Sequence, residues 1–152
     1  MLDDALRSDL RRVVESDRWA LAGHSGGGLA IYRWLLEYAP RFRAEGTPLP
    51  ALVVALAAPF RCTSGYITFA GRALRVDEPP LLPPAIVAAV PHRLLVCIAG
   101  REDVLSPDDV ALPNGVLVPG RIDQERIAGA SHRDICADPR TLSLVREALQ
   151  EL

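Results

Sequence analysis

Apolar residues along the chain fall into short runs separated by polar and proline-containing segments. The run 19–22 is apolar throughout and predicts a short buried strand. Leu29, Tyr32 and Leu36 then recur at helical spacing, so we expect a helix that ends at Pro40. The pattern thus predicts a strand that is followed directly by a helix.

Three further apolar runs predict strands at 51–56, 93–98 and 126–132, the last leading into a loop of small residues. Helix signals lie between and after them, at 85–90, 107–112 and 139–152. Strands that alternate with helices are typical of a parallel sheet with helices on both faces. We therefore expect one α/β domain over 1–152, with a mostly parallel sheet of about four or five strands.

The two ends of the chain are predicted to be helical. Asp138 is a candidate N-cap, and Pro139 suits the first position of the last helix. The face of this helix that should pack on the sheet consists of Leu142, Val145, Leu149 and Leu152. A helix in front of the first strand is indicated by Leu2, Leu6, Leu10, Val13 and Val14.

The segment 61–91 differs from the rest of the chain in its glycines and its two proline pairs. We expect a loop-rich, cap-like insertion there. The aromatic residues in and beside it, Phe60, Tyr66 and Phe69, should pack the insertion onto the sheet, and lining an acyl pocket is the alternative. An additional short extended segment is expected at 115–120.

Composition and charge narrow the function classes. The chain has 152 residues, 49% of them hydrophobic, and a net charge of -2, as expected for a globular domain.

All 17 basic residues are arginines, but they are scattered and acidic residues outnumber them, so no nucleic-acid partner is expected. No apolar run approaches the roughly 20 residues that span a bilayer, and Asp3 and Asp4 do not suit a signal peptide. We expect a cytoplasmic protein without a membrane span.

Cysteine usage gives no sign of a metal or redox centre. Cys62, Cys97 and Cys136 form an odd set without paired metal-ligand spacing, and Cys97 lies in a predicted buried strand. Neither disulfides nor a zinc site is expected, and no cofactor is implied.

The predicted junction of strand and helix reads Gly23-His24-Ser25-Gly26-Gly27, a G-x-S-x-G sequence. A serine on such a turn has a strained backbone, which we expect to require small neighbours at Gly23 and Gly27. The amide of Gly26 and the helix dipole would stabilise the oxyanion of an acyl transfer. Ser25 is therefore a candidate nucleophile, and a plain glycine-rich turn is the alternative.

A serine nucleophile needs a histidine to take its proton, and the chain offers three. His24 should orient the elbow, because its side chain points back towards the sheet or adjoining loops. His92 opens a strand at the end opposite the serine. His132 follows a predicted strand end, so we favour it as the base over a plain loop residue.

The carboxylate that orients the histidine should follow the carboxyl end of a strand. The loop after the run 93–98 contains Asp103, our first choice, and Glu102, the reserve. Asp108 and Asp109 are expected to cap the turn that begins near Pro107, and Asp123 and Asp134 to be solvated loop charges.

These motifs together resemble the α/β-hydrolases. The likeness consists of Gly23 to Gly27 as nucleophile elbow, the loop with Asp103 and Pro107, and the loop that ends in His132, in the family's chain order of serine, acid and histidine. The resemblance implies a Ser25-Asp103-His132 triad, an acyl-enzyme intermediate and no cofactor. It also implies an esterase- or lipase-like hydrolase acting on a small acyl ester or thioester.

The resemblance covers the C-terminal half of the family fold. Four strands that precede the elbow in the family have no counterpart, nor does the loop that supplies a second oxyanion donor. The elbow strand should then form an open sheet edge, which could pair in a homodimer or with a complementing N-terminal half. A non-catalytic fragment or interaction module that pairs through this edge is the alternative function.

Overall fold

A computed structural model describes residues 18–63, 68–69, 72–73, 75–101, 105 and 107–152. In chain order its elements are β1 (Ala20–His24), α1 (Gly26–Glu45), β2 (Leu52–Leu56), β3 (Thr68–Phe69), β4 (Arg72–Ala73), α2 (Pro83–Ala89), β5 (Arg93–Ala99), α3 (Pro107–Val110), β6 (Ile122–Ile127) and α4 (Pro139–Gln150). Single 3₁₀ turns lie at Asn114–Val116 and Asp134–Cys136. The helix predicted over Leu2 to Val14 lies outside the described residues.

Four parallel strands form the central sheet in the order β1-β2-β5-β6, and β3 pairs with β4 in a separate antiparallel hairpin. His24 at the end of β1 lies beside Leu56, and Leu56 lies beside Cys97. The ends of β5 and β6 also meet, because Ala99 lies beside Ile127. All four carboxyl ends therefore lie at one edge of the sheet, and the predicted parallel α/β architecture is confirmed.

Helices cover both faces of the two central strands. Alternate residues of β2 and β5 pack against α1 and α2 in one cluster, which includes Tyr32, Val53, Leu94 and Val96. The residues between them pack in a second cluster with Leu144 and Val145 of α4. Burial on both faces explains why 52–55 and 94–99 read as continuous apolar runs rather than alternating ones.

Strand β1 lies at the margin of the described part of the sheet, with β2 as its neighbour. The prediction of a buried strand at 19–22 is wrong in part, because β1 spans Ala20–His24 and its Ala20 and Ala22 are exposed at this margin, whereas the core of β2 is buried. Pairing of this margin with a second chain stays a prediction.

Helix α1 does not end at Pro40, as the sequence predicted, but continues to Glu45. The ring of Pro40 removes one amide from the helical ladder, yet packing holds the turn after it in place. Ala39 is fully buried, and the Arg43 guanidinium donates to the Ala89 carbonyl of α2 at 2.9 Å. The helix ends at Gly46, whose φ of 67° is left-handed.

Helix α4 begins as predicted, since the Asp138 carboxylate accepts the Arg140 amide at 2.9 Å. The predicted buried face is wrong in part, because Leu142 is 50% exposed and Leu149 47% exposed. The face that packs on the sheet is rotated by about one residue and consists of Thr141, Leu144, Val145, Ala148 and Leu152.

Three other boundaries differ from the predictions. Strand β6 lies at Ile122–Ile127 rather than 126–132, so His132 sits on the loop beyond it. The segment 115–120 is not extended throughout, because it starts in a 3₁₀ turn and only Val118 forms a bridge, to Ile122. The short helix expected at 85–90 spans Pro83–Ala89, since a proline is favourable in the first turn.

Several residue placements agree with the sequence. His92 is exposed and precedes β5, at the edge opposite the carboxyl ends of the strands. Cys97 is fully buried in β5, and burial raises the pKa of its thiol to about 12. Phe60 is buried and its ring stacks on that of Tyr32 at 5.4 Å, so it packs in the core. Tyr66 lies outside the described residues, as does the side chain of Phe69.

No helix in the described ranges is long and apolar enough to cross a membrane.

The hydroxyl of Tyr32 is fully buried and has no hydrogen-bond partner, and burial raises its pKa above the usual value for tyrosine. An unsatisfied buried hydroxyl destabilises the folded state, so we expect Tyr32→Phe to raise the free energy of unfolding by about 1 kcal/mol. Urea denaturation measures the change. Tyr38→Phe removes a hydroxyl at a half-buried position of the same helix and is the control, which should not gain stability. A loss of stability in Tyr32→Phe would contradict this prediction.

Candidate active site

Ser25 occupies the turn between β1 and α1 with a φ of 52° and a ψ of -121°. This conformation is rare for a residue with a side chain and costs on the order of 1–3 kcal/mol. The Ser25 amide donates to the Leu56 carbonyl at 2.9 Å, so the ladder between β1 and β2 continues into the turn. The strained backbone is therefore held by the neighbouring strand.

Two glycines make this turn sterically possible. A Cβ at Gly23 would lie 2.6 Å from the Gly27 carbonyl carbon, and a Cβ at Gly28 would lie 2.3 Å from the Cβ of Ala58. A Cβ at Gly27 would meet no atom within 4 Å. The steric requirement expected at Gly27 is therefore wrong, and it falls on Gly28, where the helix crosses the loop after β2.

The start of α1 leaves polar groups available beside Ser25. The Gly28 and Leu29 amides donate to the Ser25 carbonyl at 3.0 and 3.2 Å, so the Gly26 amide precedes the intrahelical ladder. Serine often caps a helix with its hydroxyl, but Ser25 makes no such bond. Its Oγ is thus not used to cap the helix, and the 20-residue helix directs its positive end at this turn.

The loop after β6 turns sharply and carries His132. Gly129 has a φ of 81°, and the Ala130 amide donates to the Ile127 carbonyl at 3.2 Å. Ser131 donates through Oγ to the Asp134 carboxylate at 2.6 Å and accepts the Asp134 amide at 3.2 Å. These local bonds close the loop on itself after the strand has ended.

His24 and His132 are brought together at the carboxyl edge of the sheet. The Nε2 atom of His24 lies 2.6 Å from the backbone carbonyl oxygen of His132. The two rings have centroids 4.9 Å apart and planes inclined at 51°. The residue before the candidate nucleophile therefore contacts the candidate base directly, a contact between histidines that lie 108 positions apart in the sequence.

The preferred acid, Asp103, and the reserve, Glu102, lie outside the described residues. The start of this loop, at Gly100 and Arg101, packs against the end of β6 and the residues that follow it. A Cβ at Gly100 would lie 2.3 Å from the Ile127 carbonyl oxygen, and the Arg101 amide donates to the Ala130 carbonyl at 3.0 Å. Leu105 is buried in the core. The loop thus leaves β5 against the strand end that leads to His132.

Three of the four remaining candidate carboxylates have partners elsewhere. Asp109 pairs with Arg61 at 2.7 Å, and Asp134 is bonded to Ser131 as described above. The expectation that Asp123 is a loop residue is wrong. Asp123 lies in β6, and its carboxylate pairs with the Arg93 guanidinium at 3.3 Å. Asp108 is exposed in the first turn of α3, where the helix dipole stabilises the negative charge of a carboxylate.

Among the described residues, no group of three or more histidine, cysteine, aspartate or glutamate side chains is arranged to hold a metal ion.

Sequence reasoning missed the contact of His24 with His132 and the need for a glycine at position 28. Both depend on how loops approach one another across strands, which local spacing does not reveal. A sequence signal for Gly28 exists, because it is the third of three consecutive glycines after Ser25.

No protein-family model matches the chain, and a sequence search of curated proteins finds no match. Solved structures do match. The RedJ thioesterase from the prodiginine biosynthetic pathway in Streptomyces coelicolor has a TM-score of 0.58 and 19% identity over 99% of this chain and 65% of its own. RedJ with a PEG molecule in its active site has a TM-score of 0.54 and 17% identity, covering 99% and 70%. Human thioesterase 2 has a TM-score of 0.50 and 17% identity, covering 97% and 80%.

RedJ and the human protein are both described as thioesterases. At such identities the likeness concerns the fold alone, and it agrees with the parallel α/β architecture described above.

The elbow geometry predicts opposite effects for two adjacent glycine substitutions. Gly28→Ala places a Cβ against Ala58, and we expect it to lower the free energy of unfolding by about 1–3 kcal/mol. Gly27→Ala meets open space in the first turn of α1, so it should be neutral or stabilise by up to about 1 kcal/mol. Chemical denaturation of both variants tests the pair, and equal effects would contradict the assigned crowding at Gly28.

Proposed function

We propose that the protein is a serine hydrolase that cleaves a carboxylic ester or thioester through an acyl-enzyme intermediate. Ser25 is the nucleophile, His132 the general base, Asp103 the residue that orients His132, and Gly26 an amide donor to the oxyanion. The elbow residues Gly23, His24 and Gly27 complete the proposed site.

The backbone of Ser25 is the observation that carries this proposal. A connecting turn has no need of a non-glycine residue at a φ of 52°, and such strain is concentrated at functional sites. The strain places the serine at a helix N-terminus without using its hydroxyl as a cap. This arrangement matches the nucleophile elbow, in which the serine is exposed above the carboxyl ends of the strands.

His24 is less suited than His132 to act as the base. Its Nε2 lies 2.6 Å from a backbone carbonyl, which accepts and does not donate, so this nitrogen carries a proton and cannot take another. His92 lies at the opposite edge of the sheet. His132 follows a strand at the same edge as Ser25, which supports it as the base.

In the acylation step, the Ser25 hydroxyl oxygen attacks the substrate carbonyl carbon and its proton passes to the His132 imidazole. The carbonyl oxygen becomes negative and accepts a hydrogen bond from the Gly26 amide, with support from the dipole of α1. The carbon–sulfur or carbon–oxygen bond then breaks. The leaving thiolate or alkoxide takes the proton from the His132 imidazolium.

In the second step, water hydrolyses the ester formed on Ser25. His132 takes a proton from the water as it attacks the acyl carbonyl, and this proton returns to Ser25 when the acid leaves. Asp103 would stabilise the imidazolium in both steps. The loop that contains it departs from β5 beside Ala130, close to the histidine loop, which supports this role.

A thioester is the first substrate class to test. RedJ and human thioesterase 2 are thioesterases, whereas the chemistry of the proposed site serves either ester. Small acyl thioesters and their oxygen-ester analogues, compared at equal acyl length, would separate the two.

The proposal predicts that wild-type protein reacts with a fluorophosphonate probe at Ser25. Ser25→Ala should abolish labelling, and His132→Ala should slow it by about a thousandfold or more because the serine loses its base. His92→Ala is the matched control, since His92 is exposed at the far edge, and it should label at the wild-type rate. Gel fluorescence against time measures all four proteins.

A folded wild-type protein that does not react with the probe would contradict the proposal. That result would favour the second candidate, an interaction module that pairs through the margin of β1. The observation that supports this second candidate is the exposure of Ala20 and Ala22 in β1, beside the buried β2.

The acid assignment is tested by exchanging each carboxylate for its amide. Asp103→Asn should lower kcat/KM by about 10³ to 10⁴, because the histidine loses its orienting charge. Glu102→Gln, at the adjacent position, is the control and should stay within a few-fold of wild type. If Glu102→Gln lowered kcat/KM more than Asp103→Asn, Glu102 rather than Asp103 would be the residue that orients His132.

A further inference from the structure

We propose that His24 is a positioning residue, which holds the loop of His132 in place from the elbow by a hydrogen bond from its Nε2–H to the His132 carbonyl. This inference rests on the proposed function, because it assigns a role in presenting the base to the serine. It goes beyond that function because it assigns His24, the residue before Ser25, to holding the backbone of His132 in place.

The direction of this hydrogen bond is fixed by its acceptor. A backbone carbonyl has no proton to give, so the His24 imidazole must carry its proton on Nε2. The separation of 2.6 Å is at the short end for a nitrogen–oxygen hydrogen bond. The contact is half-buried, so water competes with it less than at an exposed site.

Three backbone bonds hold the loop on either side of position 132. The Ala130 amide bonds to the strand end at Ile127, the Ala130 carbonyl accepts the Arg101 amide, and the Ile135 amide bonds to the Ser131 carbonyl. These contacts hold the loop before and after position 132. The His24 bond adds a link at position 132 itself and joins its backbone to the segment that bears Ser25.

The bond also spans the sheet. β1 and β6 are the first and last strands in the sheet order, so their axes lie three strand spacings apart, about 14 Å. The loop after β6 must reach back across the carboxyl edge to approach β1. At β1 the loop meets the His24 side chain, whose ring contacts the ring of His132.

A base that is held from the elbow keeps its distance to the serine. Displacement of a catalytic group by about 1 Å can cost about a hundredfold in rate. The bond from His24 acts on the main chain of His132 and leaves its imidazole available for the proton transfer. We therefore expect its loss to lower the rate of chemistry and to leave substrate binding largely unchanged.

Two substitutions separate the hydrogen bond from the space that the ring fills. His24→Phe keeps a ring but has no donor, and we expect kcat for hydrolysis to fall at least about tenfold with KM within twofold. His24→Gln keeps an N–H at a similar reach, and we expect it to recover most of the lost kcat. Rescue by glutamine but not by phenylalanine is the signature of a positioning bond rather than of packing.

Hydrogen exchange gives a measure that does not depend on activity. The Ala130 and Ile135 amides report on the loop, and they should exchange faster in His24→Phe than in the wild type and in His24→Gln. Urea denaturation of the three proteins shows that any change is local rather than global.

Equal kcat in His24→Phe and wild type, or equal losses in both variants, would overturn the proposal. Unchanged exchange in His24→Phe would also overturn it, because the loop would then be held without the bond. If the wild-type protein does not react with the fluorophosphonate probe, the hydrolase function fails, and exchange alone decides whether His24 positions the loop.

Discussion

The parallel register of four strands is the constraint on which the candidate site depends. It brings the carboxyl ends of β1, β2, β5 and β6 to one edge, so the turn at Ser25, the loop after β5 and the loop that contains His132 all begin there. The register also supplies the Leu56 carbonyl that accepts the Ser25 amide and holds the strained turn. Burial of β2 and β5 on both faces fixes this register, because a slip by one residue would exchange the two helix-covered faces.

Close packing outweighs local preference at several points in the chain. Pro40 should end a helix, yet Ala39 is buried and Arg43 bonds to α2, so the helix continues. In α4, Leu142 and Leu149 are exposed while the small Ala148 is buried. The last helix therefore approaches the sheet closely at an alanine, and its leucines lie to the side of the contact.

Much of the fold and the outline of the site could be predicted from the sequence. Continuous apolar runs indicated β2 and β5, and the G-x-S-x-G sequence placed a turn at Ser25, because these signals are local. The contact of His24 with His132 could not be predicted, because it depends on a loop crossing the sheet edge. The role of Gly28 depends likewise on Ala58, which follows a different strand. The order of strands and the path of the loops set both contacts.

The distance in sequence between the two histidines has a consequence for folding. The loop closed by the His24–His132 contact spans 108 residues, and contacts of such separation are slow to form because the chain between them must first be ordered. Strand β2 must likewise dock on β1 before the Leu56 carbonyl can hold Ser25 in its strained conformation. The site would thus be completed late in folding, so a partly folded chain would contain the sheet but not an assembled site.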